Sequence, residues 1–277
     1  MASDREIVFI TGGNTGLGYE VVKALYKSPR AYEIIIGCRT VSKGEDAIAT
    51  LQREVTQSAS TLSVQQADLE SDASLGQAVD AISARHGGRL DVLINNGGAG
   101  FDADIAAGTR STREAFNTMW DVNVSGTHVL TQLAAPLLLK SDKGPRLLFV
   151  TSGTSTLAET EVFDTPVAKR INASPPAGWP KQNPPGTMAI TGYRSAKTGL
   201  NMVMREWARI LKEDGVRVWA VSPGFLATGL GGIGAEKLKA MGALDPSVGG
   251  ETVRDVVEGK RDTEVGKVVR RDMVQPW

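Results

Sequence analysis

Ile7-Val8-Phe9-Ile10-Thr11-Gly12-Gly13-Asn14-Thr15-Gly16-Leu17-Gly18 is the stretch whose reading decides the fold. Four apolar residues run into a glycine-rich turn, and the turn runs into Tyr19-Glu20-Val21-Val22-Lys23-Ala24-Leu25. A short, fully apolar run suits a strand buried on both faces of a parallel sheet. Leu17, Val21, Val22 and Leu25 then recur with the spacing of an amphipathic helix laid on that sheet. Strand, tight turn and helix make the start of a dinucleotide-binding βαβ unit. Gly12 permits a turn that most residues cannot make. Gly16 removes bulk where a pyrophosphate would approach the helix N-terminus, and Gly18 lets helix and strand close on each other. Free N–H groups and the helix dipole would then face the anion. The glycines fall as T-G-x-x-x-G-x-G, not as the G-x-G-x-x-G of most dinucleotide folds. Taken alone, the motif is also compatible with a ligand-free corner.

Further along the chain, strand-like and helix-like runs alternate. Apolar strands are expected at 33–37, 63–66, 91–94, 146–150 and 216–221, with a last one near 266–270. Helices are expected at 42–55, 71–85, 236–241 and 246–258, with a long helical segment over 111–139 and a strong helix opening at Tyr193. The alternation predicts an α/β fold, a single-domain Rossmann-type doubly wound parallel sheet of about seven strands, with its ligand crevice at the carboxyl ends of the strands. One domain over 1–277 is expected, since no repeat or linker divides the chain. The exception is a proline-rich excursion at about 154–192, holding Pro175-Pro176, Pro180 and Pro184-Pro185 and one short helix near 165–171. Irregular segments of this length are uncommon and often functional.

Bulk composition narrows the function. Hydrophobic residues make up 41% and charged residues 22%, an ordinary globular balance, and the formal net charge is zero. No basic field exists to attract nucleic acid. A single cysteine, Cys38, excludes an internal disulfide framework and a cysteine-based zinc cluster. With no signal-like or membrane-spanning run in view, a soluble cytoplasmic protein is expected. Trp120, Trp207 and Trp219 read as core residues, His86 and His128 as surface or helix-face residues, and Trp179 as either a substrate-facing aromatic or a loop anchor.

The polar motifs all fall at strand ends, where such a fold puts its chemistry. Together they resemble the short-chain dehydrogenase/reductase family, and its carbonyl reductases in particular, from about Ile7 to Thr228. The Thr11–Gly18 turn looks like that family's cofactor turn, which implies cofactor contacts from Gly12, Asn14, Thr15, Gly16, Leu17 and Gly18. Asp68-Leu69 stands where the family meets the adenine ring. Asn95-Asn96-Gly97-Gly98 resembles its Asn-Asn-Ala-Gly motif, with Gly97 in place of alanine. Asn123 corresponds to the family's catalytic asparagine, Ser152 to its serine, and Tyr193-x-x-x-Lys197 to its tyrosine–lysine pair. Pro223-Gly224, with Thr228 beyond, resembles the turn that holds the nicotinamide carboxamide. The resemblance also implies that Lys197 holds the nicotinamide ribose and that Asn123 anchors a water beside it. From Ser152 to Tyr193 is 41 positions, much longer than is common in the family. The extra residues are expected to wall the substrate pocket and to cover the helix face on which many relatives pair.

The residue types carry a chemistry of their own. Tyr193 and Lys197 share a helix face, and a neighbouring ammonium is expected to lower the phenol pKa from near its ordinary ~10. Tyr193 can then exchange a proton with a substrate oxygen, and Ser152 can donate a second hydrogen bond to it. After the second strand, Gly37-Cys38-Arg39-Thr40 offers no acid for a ribose 2′-hydroxyl. Arg39 offers a charged fork suited to a 2′-phosphate, with Thr40 and Lys43 in support. The expectation is an NADP-dependent oxidoreductase using NADPH on a small-molecule carbonyl or alcohol, with no nucleic acid or membrane partner and with monomer or homo-oligomer left open. Alternatives are enone reduction or epimerisation at the same site, or a non-catalytic dinucleotide sensor.

Overall fold

The computed structural model describes residues 5–182 and 187–277. The first four residues and Pro184-Pro185 lie outside the described residues. The strands are β1 (Glu6–Thr11), β2 (Tyr32–Cys38), β3 (Thr61–Gln66), β4 (Val92–Asn95), β5 (Arg146–Val150), β6 (Arg217–Ser222), β7 (Val268–Arg270) and β8 (Met273–Val274). They form one sheet in the order β3-β2-β1-β4-β5-β6-β7-β8, parallel except for the β7–β8 pair. The eighth strand, two residues long, is the addition to the expected seven. Chain order reverses between β1 and β4, so the crevice of a doubly wound sheet opens there, at the strands' carboxyl ends.

The period-two alternation of β1 divides the core between two layers. Ile7 and Phe9 point into one, with Leu75 of α3 (Asp72–Arg85), Leu130 of α6 (Thr127–Leu138) and Leu200 of α8 (Thr191–Ile210). Val8 and Ile10 point into the other, with Val21 of α1 (Gly16–Tyr26), Leu51 of α2 (Val41–Glu54) and Val253 of α10 (Pro246–Val257). Both layers are predominantly apolar because a sheet covered on two faces has few solvent-facing positions to spend on polar side chains.

The long helical segment expected over 111–139 is broken. It comprises α5 (Thr112–Trp120), a π-helical turn over Asp121–Gly126, and α6. The break has two local causes. The Asn123 amide donates to Met119 O at 2.7 Å, competing with the backbone for the acceptor four residues back. Gly126 then lies so close to Leu69 that a Cβ there would be 1.9 Å from the Leu69 carbonyl oxygen. One-turn π bulges of this kind recur at functional sites. A second difference is α4 (Asp102–Ala107), a short helix with no apolar period to announce it.

The excursion holds 3-10 turns at Gly153–Ser155 and Ala158–Glu161 and the expected short helix, α7 (Pro166–Asn172). Arg194 of α8 fastens it, donating to Thr154 O, Ile171 O and Asn172 Oδ1 at 3.0, 3.2 and 3.1 Å. Arg170 of α7 donates to Met241 O, just beyond α9 (Ala235–Ala240), at 2.9 Å. The excursion therefore lies between the start of α8 and α9. Its described residues do not cover the α5–α8 helix face, where Trp120 and Met202 stay 46% and 65% exposed. Two aromatic expectations need correction as well. Trp120 is not core, although Trp207 and Trp219 are, and the His86 side chain is almost wholly buried; Trp179 is 87% exposed.

Candidate active site

The glycine turn is built as a cradle. Gly12 and Gly16 have φ of +64° and +55°, a region that side-chain-bearing residues rarely adopt. A Cβ on Gly18 would be 2.1 Å from Gly12 O, so only glycine lets α1 start so close to β1. Thr15, at the N-cap of α1, makes no side-chain cap hydrogen bond, which leaves the first-turn N–H groups for an anion. Asn96 holds the turn from across the sheet, its Nδ2 donating to Thr11 O at 2.8 Å and Gly12 O at 3.3 Å. Thr11 Oγ1 in return accepts from Gly97 N at 2.8 Å. Gly97 itself sits against Leu69, whose Cδ1 would be 2.8 Å from an added Cβ. Glycine therefore relieves a contact that an alanine would make here. Thr228 faces Gly16 across the cradle, with its Cβ 3.6 Å from the point a Gly16 Cβ would occupy. Pro223 is buried and Gly224 is exposed with φ +108° at the end of β6. These features fit a dinucleotide: positive-φ glycines, an uncapped helix N-terminus and a facing threonine.

Beside the turn lies a concavity of about 430 Å³ lined by Asn14, Thr15, Tyr19, Lys43, Asp46, Ala47 and Thr50. Lys43 lines it, whereas Arg39 does not. Arg39 is 73% exposed in its side chain and reaches Glu70 only loosely, at 3.7 Å, an exposed pairing that costs little to break. Thr40, exposed, caps α2 without a side-chain hydrogen bond. Asp68 is half-buried and its Oδ1 accepts from Glu70 N at 3.1 Å; Leu69 is buried. Asn95 belongs to the interior: its Nδ2 donates to Thr131 Oγ1 at 3.0 Å, and its buried Oδ1 has no partner. Its neighbour Asn96 is the residue that touches the turn, a role the sequence reading did not assign.

Four side chains converge at the carboxyl end of the sheet. Ser152 stands just past β5, its backbone extended, with Oγ accepting from Thr154 N at 3.1 Å. Tyr193 and Lys197 lie one turn apart near the start of α8. Asn123, fully buried in the π-helical turn, is clamped to the loop after β4: Nδ2 donates to Ala99 O at 2.8 Å and Oδ1 accepts from Ala99 N at 3.3 Å. A Cβ on Gly98 would lie 2.7 Å from Asn123 Oδ1 and 3.4 Å from Lys197 Nζ, so the three meet at that point. Asp102 was also missed by the sequence reading. Its carboxylate accepts from Gly192 N at 2.8 Å and Tyr193 N at 3.0 Å, capping α8 from another element. Only the chain's path brings residue 102 to residue 193.

The electrostatics of the pair differ from the sequence expectation. Lys197 Nζ donates to Val150 O at 2.9 Å and lies over the Tyr193 ring, 5.8 Å from its centroid. Burial dominates both groups. It pushes the Tyr193 phenol up to about 12, against a smaller opposing pull from the Ser152 hydroxyl, and pushes the Lys197 ammonium down to about 8. The ammonium therefore does not hold Tyr193 below its ordinary value. Near neutral pH the phenol keeps its proton.

A doubly wound sheet, an anion cradle at its switch point and a hydroxyl–phenol–amine cluster beside that cradle define a dinucleotide-dependent redox scaffold. The family model described as short chain dehydrogenase matches residues 6–163. The chain is 45% identical over 284 residues to the short-chain dehydrogenase/reductase eupG of a Phoma species, covering 100% of this chain and 99% of that protein. In fold it is similar to the carbonyl reductase Sniffer of D. melanogaster, with TM-score 0.74, 20% identity and coverage of 99% and 100%. It is likewise similar to the NADPH-bound carbonyl reductase from chicken fatty liver, with TM-score 0.72, 18% identity and coverage of 99% of each chain. The chain belongs to the short-chain dehydrogenase/reductase family of oxidoreductases. Among the described residues no helix is long and apolar enough to cross a membrane.

Proposed function

We propose that the protein is an NADPH-dependent carbonyl reductase acting on a small or medium-sized organic aldehyde, ketone or quinone. The observation that carries this reading is the convergence of Ser152, Tyr193, Lys197 and Asn123 beside the glycine cradle. A bound nicotinamide supplies the hydride that adds to the carbonyl carbon. Tyr193 donates its phenolic proton to the carbonyl oxygen, completing the alcohol, and is reprotonated from solvent. The Ser152 hydroxyl donates a hydrogen bond to the same oxygen as negative charge builds there. Lys197 and Asn123 line the inner wall behind this pair, and Asn123 holds the loop after β4 in register.

Burial raises the Tyr193 pKa to about 12, so the phenol carries the proton that carbonyl reduction consumes. Oxidation needs the phenolate, which a nearby positive charge would have to stabilise. NADP over NAD is supported by the absence of an acid at Cys38-Arg39-Thr40, by the exposed fork of Arg39, only loosely paired with Glu70, and by Lys43 in the concavity beside the turn.

The test is loss of NADPH fluorescence with a panel of aldehydes, ketones and quinones, run with wild type and Tyr193→Phe. The wild type should turn over at least one carbonyl compound. Tyr193→Phe should bind NADPH nearly unchanged and lose about 10²–10⁴-fold in turnover, the usual worth of a positioned acid–base group. Turnover within threefold of wild type in that variant would remove the assignment.

A further inference from the structure

Behind Ser152 lies a buried polar cluster that the proposed chemistry does not use. Ser155 is its hub. Its Oγ donates to Ser152 O at 2.6 Å and accepts from Asn201 Nδ2 at 2.9 Å. Asn201 Oδ1 in turn accepts from Thr151 Oγ1 at 2.6 Å, which ties α8 to the residue before Ser152. The last member comes from the far end of the chain. Gln275, 1% exposed and one residue past β8, donates through Nε2 to Ser152 O and to Ser155 Oγ, both at 3.2 Å.

The orientation of that amide follows from its other neighbour. Arg270 has only donors, and its Nε and Nη2 lie 3.1 and 2.9 Å from Gln275 Oε1. The oxygen must therefore face Arg270 and the NH₂ must face Ser152. Arg270 is itself held by a two-pronged pair with Glu159, at 3.1 and 2.7 Å. The Gln275 backbone N–H donates to Val268 O at 2.8 Å, and Ala158 N donates to Trp277 O at 2.7 Å. All four hydrogen-bonding positions of the Gln275 amide are filled, two by Arg270 and two by the Ser152–Ser155 turn. A buried amide so completely satisfied has one rotamer, and it transmits that rigidity to what it touches.

We propose that Gln275 is a positioning residue for Ser152: the chain's C-terminal tail, braced by Arg270 and Glu159, holds the Ser152 carbonyl and thereby aims the Ser152 hydroxyl at the substrate oxygen. The inference rests on the carbonyl-reductase reading of the site. Ser152 O already accepts from Ser155 N at 3.1 Å and from Ser155 Oγ. Arg194 and Asn201 of α8 hold Thr154 O and Ser155 Oγ from one side; what Gln275 adds is a third bond to the Ser152 carbonyl itself, and the only one of the three that comes from outside the turn. A hydroxyl meant to meet charge as it develops gains from such preorganisation, because reorientation during the reaction would forfeit part of its worth.

Two variants test this. Gln275→Leu removes the amide. Gln275→Glu keeps an acceptor for Arg270, and with it the attachment of the tail, but presents an oxygen where Ser152 O needs a donor. Each is made in the wild type and in the Ser152→Ala background, with 4-nitrobenzaldehyde as the carbonyl probe. In the wild-type background both should lower kcat roughly tenfold or more, below the full ~10²–10³-fold worth of such a donor, with the NADPH Kd changed less than twofold. In the Ser152→Ala background neither should lower kcat further, since the hydroxyl they position is gone. Amide hydrogen exchange of the 151–157 segment, which needs no substrate, should accelerate in both variants while the β1 segment is unchanged. An equal loss of kcat in both backgrounds, a kcat within twofold of wild type, or unaltered exchange at 151–157 would each overturn the proposal. If Ser152→Ala alone leaves turnover intact, the reading of the active site fails instead, and the exchange measurement still decides whether Gln275 braces the turn.

Discussion

Asp102 offers the sharpest perturbation of the site from outside it. Its two carboxylate oxygens accept the N–H groups of Gly192 and Tyr193 at 2.8 and 3.0 Å. Ile190, at the N-cap of α8, supplies no side-chain cap of its own, so the Asp102 carboxylate is what satisfies these first-turn donors. Losing a cap costs about 0.5–2 kcal/mol, and a hydrogen bond to a charged group is worth about 1.5–3 kcal/mol. Asp102 is half-buried, which discounts the upper end for solvent screening. Asp102→Ala should therefore destabilise the fold by ~1–3 kcal/mol. With a urea m-value of about 3 kcal/mol/M, the unfolding midpoint should fall by roughly 0.3–1 M. Asp102→Asn keeps one acceptor oxygen and should lose about half as much. The same cap fixes the backbone from which the Tyr193 ring projects, and small displacements of a reacting group are costly. A kcat loss of about tenfold is expected with NADPH affinity unchanged. The assays are urea unfolding followed by tryptophan fluorescence and steady-state turnover of the best carbonyl probe. A midpoint within 0.1 M of wild type (about the scatter of such a measurement) together with full kcat would show that α8 and Tyr193 hold their places without Asp102.

Two further outcomes test the cofactor and the buried pair. Arg39→Asp should cut NADPH affinity by roughly tenfold or more and affect NADH far less, a charge-assisted contact being worth about 1.5–3 kcal/mol; a wild-type kcat/KM ratio for NADPH over NADH at or below one would withdraw the NADP assignment. Burial lowers the Lys197 pKa to about 8 from its ordinary 10.5, so above pH 8 the native lysine gives up its proton while the unfolded one keeps it. The stability of the cofactor-free protein relative to Lys197→Met should rise from pH 8 to pH 10. Tyr193, shifted upward from 10.0 to about 12, opposes this only above that window. A stability difference between the two proteins that is flat or falling over those two pH units contradicts the burial of the ammonium.

The sequence by itself determined the sheet and the cradle because both are written in local patterns. A run such as Ile7–Ile10 buries on both faces wherever it lies, and the Gly12–Gly18 spacing demands a tight turn and a close helix whatever surrounds it. Tyr193 and Lys197 were legible for the same reason, since one helical turn separates them. What no local pattern holds is the set of contacts made at long sequence separation. Asp102 reaches Tyr193 across 91 positions and Gln275 reaches Ser152 across 123, and nothing near either residue marks it out. The break at Asn123 is hidden too, because the apolar period of 111–139 continues through it while a side-chain amide takes the Met119 carbonyl. Most instructive is the pair itself. Adjacency to Lys197 argued for an acidic phenol, and spacing could say no more than that. Only the packed structure supplies the burial that raises the phenol pKa against the pull of the Ser152 hydroxyl, and turns the ammonium to Val150 O. Desolvation depends on every atom around a group, and so it belongs to the tertiary fold alone.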